Sequence, residues 1–175
     1  MPGPDKFSRF ERAILPHLDA AYNLARWLMR NEDEAADAVQ DACLRALRFI
    51  GGFRGGDGRV WLLAIVRNTC YSRLKRGTIR ERETEFDDEI HSPGIETANP
   101  EALLERSRDS ETLRHALKEL PEEFREIVVM RELEGMAYKE IAEVAGVPIG
   151  TVMSRLARAR KRLQQLLTAA PRKES

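Results

Sequence analysis

Between Tyr138 and Leu163 the chain reads YKEIAEVAGVPIGTVMSRLARARKRL, and Arg155, Arg158, Arg160, Lys161 and Arg162 crowd its last stretch. None of the five has a carboxylate four residues before or after it, so ion pairing along a helix surface is not expected to be their purpose. At 100° per residue Val152, Leu156, Ala159 and Leu163 fall in one stripe, the spacing of a core-facing helix. Thr151, Ser154, Ala157, Arg158 and Lys161 point the other way. That outer face begins with small or hydroxylic residues, Gly150, Thr151 and Ser154, which allow close approach to phosphates and base edges, while Arg158 and Lys161 reach further. The chemistry these residues offer is recognition of a polyanion; no bond-making group is among them.

Such a helix must be held by another. Ile141, Ala142 and Ala145 supply the buried side of a short preceding helix, Gly146 sits where the chain turns sharply, and Pro148 suits the first turn of the second helix, where a missing N–H has no partner to lose. The spacing is that of a helix-turn-helix, whose second helix lies in the DNA major groove. A plain helical hairpin with a solvated basic face is the competing reading, and the unpaired cations and small hydroxylic start weigh against it.

A second cationic surface is expected upstream. The segment from about Arg59 to Lys75 predicts a helix burying Trp61, Leu62, Ile65 and Leu74, with Arg67, Asn68, Tyr71, Arg73, Lys75 and Arg76 on its polar remainder. Ahead of it the turn GGFRGGDG, Gly51 to Gly58, lacks the Lys-Ser/Thr pair of a phosphate-binding loop. A helix from about Asn31 to Phe49 is predicted to bury Ala36, Val39, Ala42, Cys43, Ala46 and Leu47, leaving Asp37, Gln40, Asp41, Leu44, Arg45 and Arg48 outside. Asn31 followed three residues later by Glu34 marks its start. The first helical segment, about Asp5 to Met29, is expected to bend near Pro16 around Phe10, Ile14, Leu18, Leu24, Trp27 and Leu28.

From Arg76 to about Pro100 the sequence turns acidic and poor in apolar residues, the signature of a flexible linker. Helices resume at Glu101, end near Leu120, and start again at Leu120-Pro121-Glu122-Glu123, with Phe124, Ile127, Val128 and Met130 packing. The expected architecture is all-α: a three- to four-helix bundle over residues 1–76, an acidic linker over 77–100 and a helix-turn-helix domain over 101–170.

The formal net charge is zero, yet its distribution is uneven. Residues 1–78 carry 13 basic and 9 acidic side chains, residues 79–134 carry 8 and 17, and residues 135–175 carry 8 and 3. Because exposed charges act over roughly 8–10 Å at physiological salt, the local sign of each basic end matters more for DNA than the sum. The acidic centre is free to repel DNA or to lie against basic surfaces of this chain or a partner.

Other classes are disfavoured. No apolar run approaches a membrane span and the amino terminus does not read as a signal peptide, so a cytoplasmic protein without membrane insertion is expected. Cys43 and Cys70 read as buried free thiols. His17, His91 and His115 are scattered and no ligand spacing occurs, so no metal, no cofactor and no catalytic residue is expected, and the chain is not read as an enzyme.

Three segments together resemble the extracytoplasmic-function sigma factors of bacterial RNA polymerase, the minimal sigma-70-type factors that keep only domains two and four. DEAADAVQDACLRALRFI resembles their region 2.2, FRGGDGRVWLLAIVRNTCYSRLKR regions 2.3 and 2.4, and LPEEFREIVVMRELEGMAYKEIAEVAGVPIGTVMSRLARARKRL region four. The resemblance implies that Asp37, Gln40, Asp41, Leu44 and Arg45 dock on core polymerase. It implies that Arg54, Asp57, Arg67, Asn68, Tyr71, Arg73, Lys75 and Arg76 serve the minus-ten element and its extruded bases. Thr151, Ser154, Arg155, Arg158, Lys161 and Arg162 would serve the minus-thirty-five element. Implied partners are core RNA polymerase, promoter DNA and an anti-sigma factor that restrains the protein in a stress or envelope response. A helix-turn-helix regulator that acts without being a polymerase subunit is the alternative. It would bind its operator as a dimer, with a ligand pocket within residues 33–76.

Overall fold

The computed structural model describes residues 4–83 and 104–169, with side chains described for 5–77 and 110–169. Every regular element among them is helical. Helix α1 (Pro4–Ala13) is followed by a 3-10 turn at Leu15–His17 and by α2 (Leu18–Leu28), so the predicted break falls at Pro16. Helix α3 (Glu32–Phe49) starts at Asn31, whose side chain accepts a hydrogen bond from the Glu34 N–H at 2.7 Å. That satisfies one of the amides left open at a helix start.

The buried stripe of α3 is Ala35, Ala38, Ala42 and Ala46. Ala36, expected inside, is exposed, and Val39, Cys43 and Leu47 are half-buried. At 100° per residue Ala35, Ala38, Ala42 and Ala46 share one side of about 80°, next to the side of Val39, Cys43 and Leu47, on which the larger apolar residues centred the expected stripe. Close packing of α3 on its neighbours selects the side where only methyl groups intrude.

Helix α4 (Gly58–Glu83) runs well beyond Lys75, where it was expected to end, and continues through residues 77–83, assigned from sequence to the linker. Among its described residues Gly58, Val60, Leu62, Leu63, Val66, Thr69 and Cys70 are buried, whereas Trp61, Ile65 and Leu74 are only half-buried. The reason is that α4 has no single inner face. It packs against α2 and α3 on one side and against a helix of the second half of the chain on another.

That second half comprises α5 (Leu104–Glu119), α6 (Glu122–Val128) with a wide π turn at Val129–Leu133, α7 (Tyr138–Ala145) and α8 (Ile149–Ala169). Ile127, Val128 and Met130 are buried as expected, with Phe124 half-buried. Gly146 closes α7 at φ 68°, a left-handed conformation costly for any side chain. Val152, Leu156 and Ala159 are buried and Leu163 half-buried, so the predicted stripe of α8 faces the core. Burying one such leucine is worth about 1.5–3 kcal/mol. The rest of the predicted linker, residues 84–100, and the expected helix start at Glu101 lie outside the described residues.

The two halves share one continuous apolar core. Within it α4 packs on α7, and α2 on α6 and the π turn.

Candidate nucleic-acid interface

Helix α8 presents the first surface. With its stripe seated on α6 and α7, the opposite face is left to solvent: Ser154, Ala157, Arg158, Lys161 and Arg162 are exposed and Thr151 is half-buried. The Ser154 hydroxyl donates to the Thr151 carbonyl at 3.1 Å, which holds it against the helix and keeps that side narrow. Met153 stands beside them, 52% exposed, and Ile149 opens the same helix with 44% exposure. Met153 was not among the residues expected at DNA. It is a large apolar side chain off the core stripe.

Two of the five cations do have carboxylate partners. Arg160 pairs with Glu132 at 2.5 Å and Arg155 with Glu123 at 4.0 Å. The expectation that ion pairing is not their purpose is thus corrected for both. Their partners come from the π turn and α6, brought close by tertiary packing that helix spacing cannot reveal.

In the first half the glycine turn projects Arg54 into solvent between Phe53, which is buried, and Gly55 and Gly56, both at positive φ. Phe53 packs against Trp61 with ring centroids 5.2 Å apart and planes tilted by 49°, and Arg9 donates to the Phe53 carbonyl, so Trp61 supports the turn from the core side. Gly58 is required by proximity: a Cβ there would lie 2.1 Å from the Ala13 carbonyl oxygen. Asp57 caps α4, its carboxylate accepting from the Arg59 N–H at 2.9 Å. Burial pushes the Asp57 carboxyl up, but a hydrogen bond shared with Glu140, together with the Arg59 amide and charge, brings it below its ordinary value.

Along α4, Asn68, Lys75 and Arg76 are exposed. Arg73 is half-buried and reaches Asp41 of α3 at 4.0 Å, with its Nε lacking a hydrogen-bond partner. Arg67 and Tyr71 are placed differently from the others. The Arg67 guanidinium grips the fully buried Glu126 of α6 with two hydrogen bonds, Nε to Oε2 at 2.7 Å and Nη2 to Oε1 at 3.2 Å. Its Cζ sits 4.4 Å from the Tyr71 ring centroid, and the Tyr71 hydroxyl is buried with no partner in hydrogen-bonding geometry. Burial opposes the Arg67 charge, but Glu126 outweighs it and raises the guanidinium. Burial drives the more deeply enclosed Glu126 carboxyl above the ordinary glutamate range, against the pull of Arg67. Burial and the Glu126 charge likewise drive Tyr71 up.

These contacts belong to a seam between the two halves. Asn23 donates to Glu134 at 2.8 Å, and Arg59 donates to the Glu134 carbonyl at 3.1 Å and pairs with Glu140 at 3.7 Å. Glu140 also accepts from the Ala137 N–H at 2.9 Å, steadying the start of α7. Part of the acidic centre thus lies against basic side chains of this chain.

Away from the seam, Asp37, Gln40 and Leu44 line the outer side of α3, with Leu44 62% exposed. Asp41 and Arg45 are half-buried there and pair at 3.6 Å. A groove of about 400 Å³ between α5 and α8 is lined by Leu113, Leu117, Leu133, Leu163 and Leu167, a feature sequence periodicity did not single out. Among the described residues no cluster of three His, Cys, Asp or Glu could hold a metal ion, and no helix is long and apolar enough to cross a membrane.

Comparison with known proteins identifies both halves. Residues 13–79 match the model of Sigma-70 region 2, and residues 110–163 that of Sigma-70, region 4. The RNA polymerase sigma-H factor of Pseudomonas aeruginosa is 33% identical over 174 residues, covering 92% of this chain and 89% of that one. The ECF RNA polymerase sigma-E factor of Escherichia coli is 33% identical, over 73% of this chain and 71% of that one. The ECF RNA polymerase sigma factor SigE of Mycolicibacterium smegmatis is 35% identical over 90% of this chain, which spans 61% of its length. Among solved structures, the sigma factor RpoE from Bartonella quintana, in complex with the anti-sigma factor NepR, aligns with a TM-score of 0.73 at 28% identity, over 93% of this chain and 98% of that one. CnrH in complex with the cytosolic domain of CnrY aligns with a TM-score of 0.59 at 26% identity, over 93% and 89%. With both sigma regions present in order and relatives similar across most of its length, the chain belongs to the extracytoplasmic-function sigma factors of the sigma-70 family.

Proposed function

We propose that this sigma factor joins core RNA polymerase and directs promoter-specific initiation through two DNA-facing surfaces and one polymerase-facing surface. The observation that carries the reading is the outer face of α8. Ser154, Arg158 and Lys161 stand free of the core on a helix whose opposite side is locked in it, the arrangement a major-groove reader requires. Thr151, Ser154, Arg158 and Lys161 meet the minus-thirty-five element, Met153 adds apolar contact, Arg162 contacts backbone phosphate, and Arg155 joins on release from Glu123. Arg54, Asp57, Arg67, Asn68, Tyr71, Arg73, Lys75 and Arg76 serve the minus-ten element, where guanidinium groups take phosphates and Tyr71 offers a stacking face.

Asp37, Gln40, Asp41, Leu44 and Arg45 dock on polymerase. A large exposed leucine among charges on one helix face suits a protein partner. Tethering both domains to polymerase makes the second DNA contact effectively intramolecular and multiplies affinity without new surface. The likeness to a sigma factor held by an anti-sigma factor supports restraint of this chain by a partner of that kind.

Gel filtration with bacterial core polymerase tests the polymerase-facing assignment. The intact chain co-elutes with core and Leu44→Asp does not; equal retention of both removes α3 from the interface.

A further inference from the structure

The residues along the seam pose a conflict. Arg67 and Tyr71, assigned to nucleic acid, are occupied by domain four: Glu126 is fully buried and fills the guanidinium fork with both carboxylate oxygens. A guanidinium recognises planar carboxylate and phosphate oxygens by the same pair of parallel N–H donors, so a carboxylate in that fork excludes a phosphate from it. The Tyr71 ring, stacked on the same guanidinium and half-buried, cannot also receive a base. Around this pair Arg59 of domain two pairs with Glu140 of domain four and donates to the Glu134 carbonyl, and Asn23 donates to the Glu134 carboxylate.

We propose that Glu126 is an internal competitor for nucleic acid, holding Arg67 and Tyr71 in a closed chain that cannot engage single-stranded DNA until the domains part. The inference rests on the reading that Arg67 and Tyr71 face DNA, and goes beyond it by naming the group that blocks them. Polymerase would thus act twice, binding the chain and separating Arg67 from Glu126. Because the buried carboxylate is replaced by solvent or phosphate only when the seam opens, the closed chain and the DNA-bound chain exclude one another.

The test uses the full chain without polymerase and a fluorescein-labelled single-stranded 25-mer of random sequence, read by anisotropy, with small-angle scattering to report domain separation. Glu126→Gln is expected to expand the chain and tighten oligonucleotide binding at least tenfold; adding Arg67→Ala removes the gain while leaving the chain expanded. A chain that stays compact shows that Glu126 does not hold the seam, and one that expands without binding DNA shows that the seam hides no DNA site. Either result overturns the proposal. Should Glu126→Gln fail to fold, Asn23→Cys with Glu134→Cys, in a chain also carrying Cys43→Ala, is joined across the seam by a bis-maleimide. With core polymerase added to part the domains, the same chain capped with a monofunctional maleimide is expected to bind oligonucleotide beyond what core alone binds and the joined chain to add nothing, and equal binding by the two overturns the proposal. Promoter opening by holoenzyme carrying Arg67→Ala separately tests the underlying reading: full opening removes Arg67 from the DNA surface, whatever the seam does.

Discussion

Replacing Gly58 by alanine sets two opposing effects against each other. In a helix interior alanine is favoured over glycine by about 0.8–1 kcal/mol, and Gly58 opens α4. Packing opposes the change, because the added methyl would lie 2.1 Å from the Ala13 carbonyl oxygen and 3.1 Å from its carbonyl carbon, both backbone atoms that no side-chain rotation can move aside. Relieving the clash requires α1 and α4 to separate, an overpacking cost of about 1–3 kcal/mol or more. A clash this close to backbone stands at the upper end of that range, about 3 kcal/mol, and subtracting about 1 kcal/mol of helix gain leaves about 2 kcal/mol; with a urea slope of about 2 kcal/mol per molar, Gly58→Ala therefore lowers the unfolding midpoint by about 1 M. Gly77, in the same helix with nothing within 4 Å of an added Cβ, supplies the control. Gly77→Ala is expected to raise stability by up to about 1 kcal/mol. Urea titration followed by circular dichroism reads both variants. An unchanged or raised midpoint for Gly58→Ala refutes the close approach that places the glycine turn beside α1.

Other consequences are as specific. Arg158→Ala or Ser154→Ala weakens binding of the minus-thirty-five element by about 1–3 kcal/mol for each base-specific interaction removed, and changes base preference in a competition assay with mutated elements. Unchanged preference in both variants contradicts the assigned face of α8. Arg162→Ala weakens binding to all sequences alike and flattens its salt dependence by about one counterion, so a sequence-selective loss would mean the helix is rotated. Leu156→Ala, removing a buried side chain of the α8 stripe, destabilises the chain by about 2–5 kcal/mol in the same urea titration. Burial pushes the Cys70 thiol up to about 12 and raises that of half-buried Cys43 as well, so at pH 8 both are mainly protonated. Iodoacetamide is expected to label Cys43 well before Cys70 in peptide maps of the folded protein. Equal labelling of the two would contradict the burial of Cys70.

The helices and the outward side of α8 were legible because periodicity, capping and turn chemistry agree locally. Asn31 caps α3, Pro16 breaks the first segment, Gly146 turns the chain, and Val152, Leu156 and Ala159 face inward as their spacing requires. Legibility failed where one helix touches two neighbours. Apolar residues surround much of α4, since it serves the bundle and α7 together, and a single stripe misassigns Trp61 and Ile65. On α3 the larger Val39, Cys43 and Leu47 drew the expected stripe to one side of the alanines that pack. Pairing across long sequence separations was also invisible. Arg67 with Glu126, Arg155 with Glu123 and Arg160 with Glu132 join residues that only the packed domains bring together.

The central claim is that one chain reads two promoter elements when carried by polymerase. The most direct measurement is run-off transcription by purified bacterial core enzyme on a randomised promoter library, with and without this protein. The account predicts transcripts only when the chain is present, from templates sharing two separated motifs, one of whose sequence changes with Arg158→Ala. Absence of chain-dependent transcripts, or selection of a single motif untouched by that substitution, would contradict it.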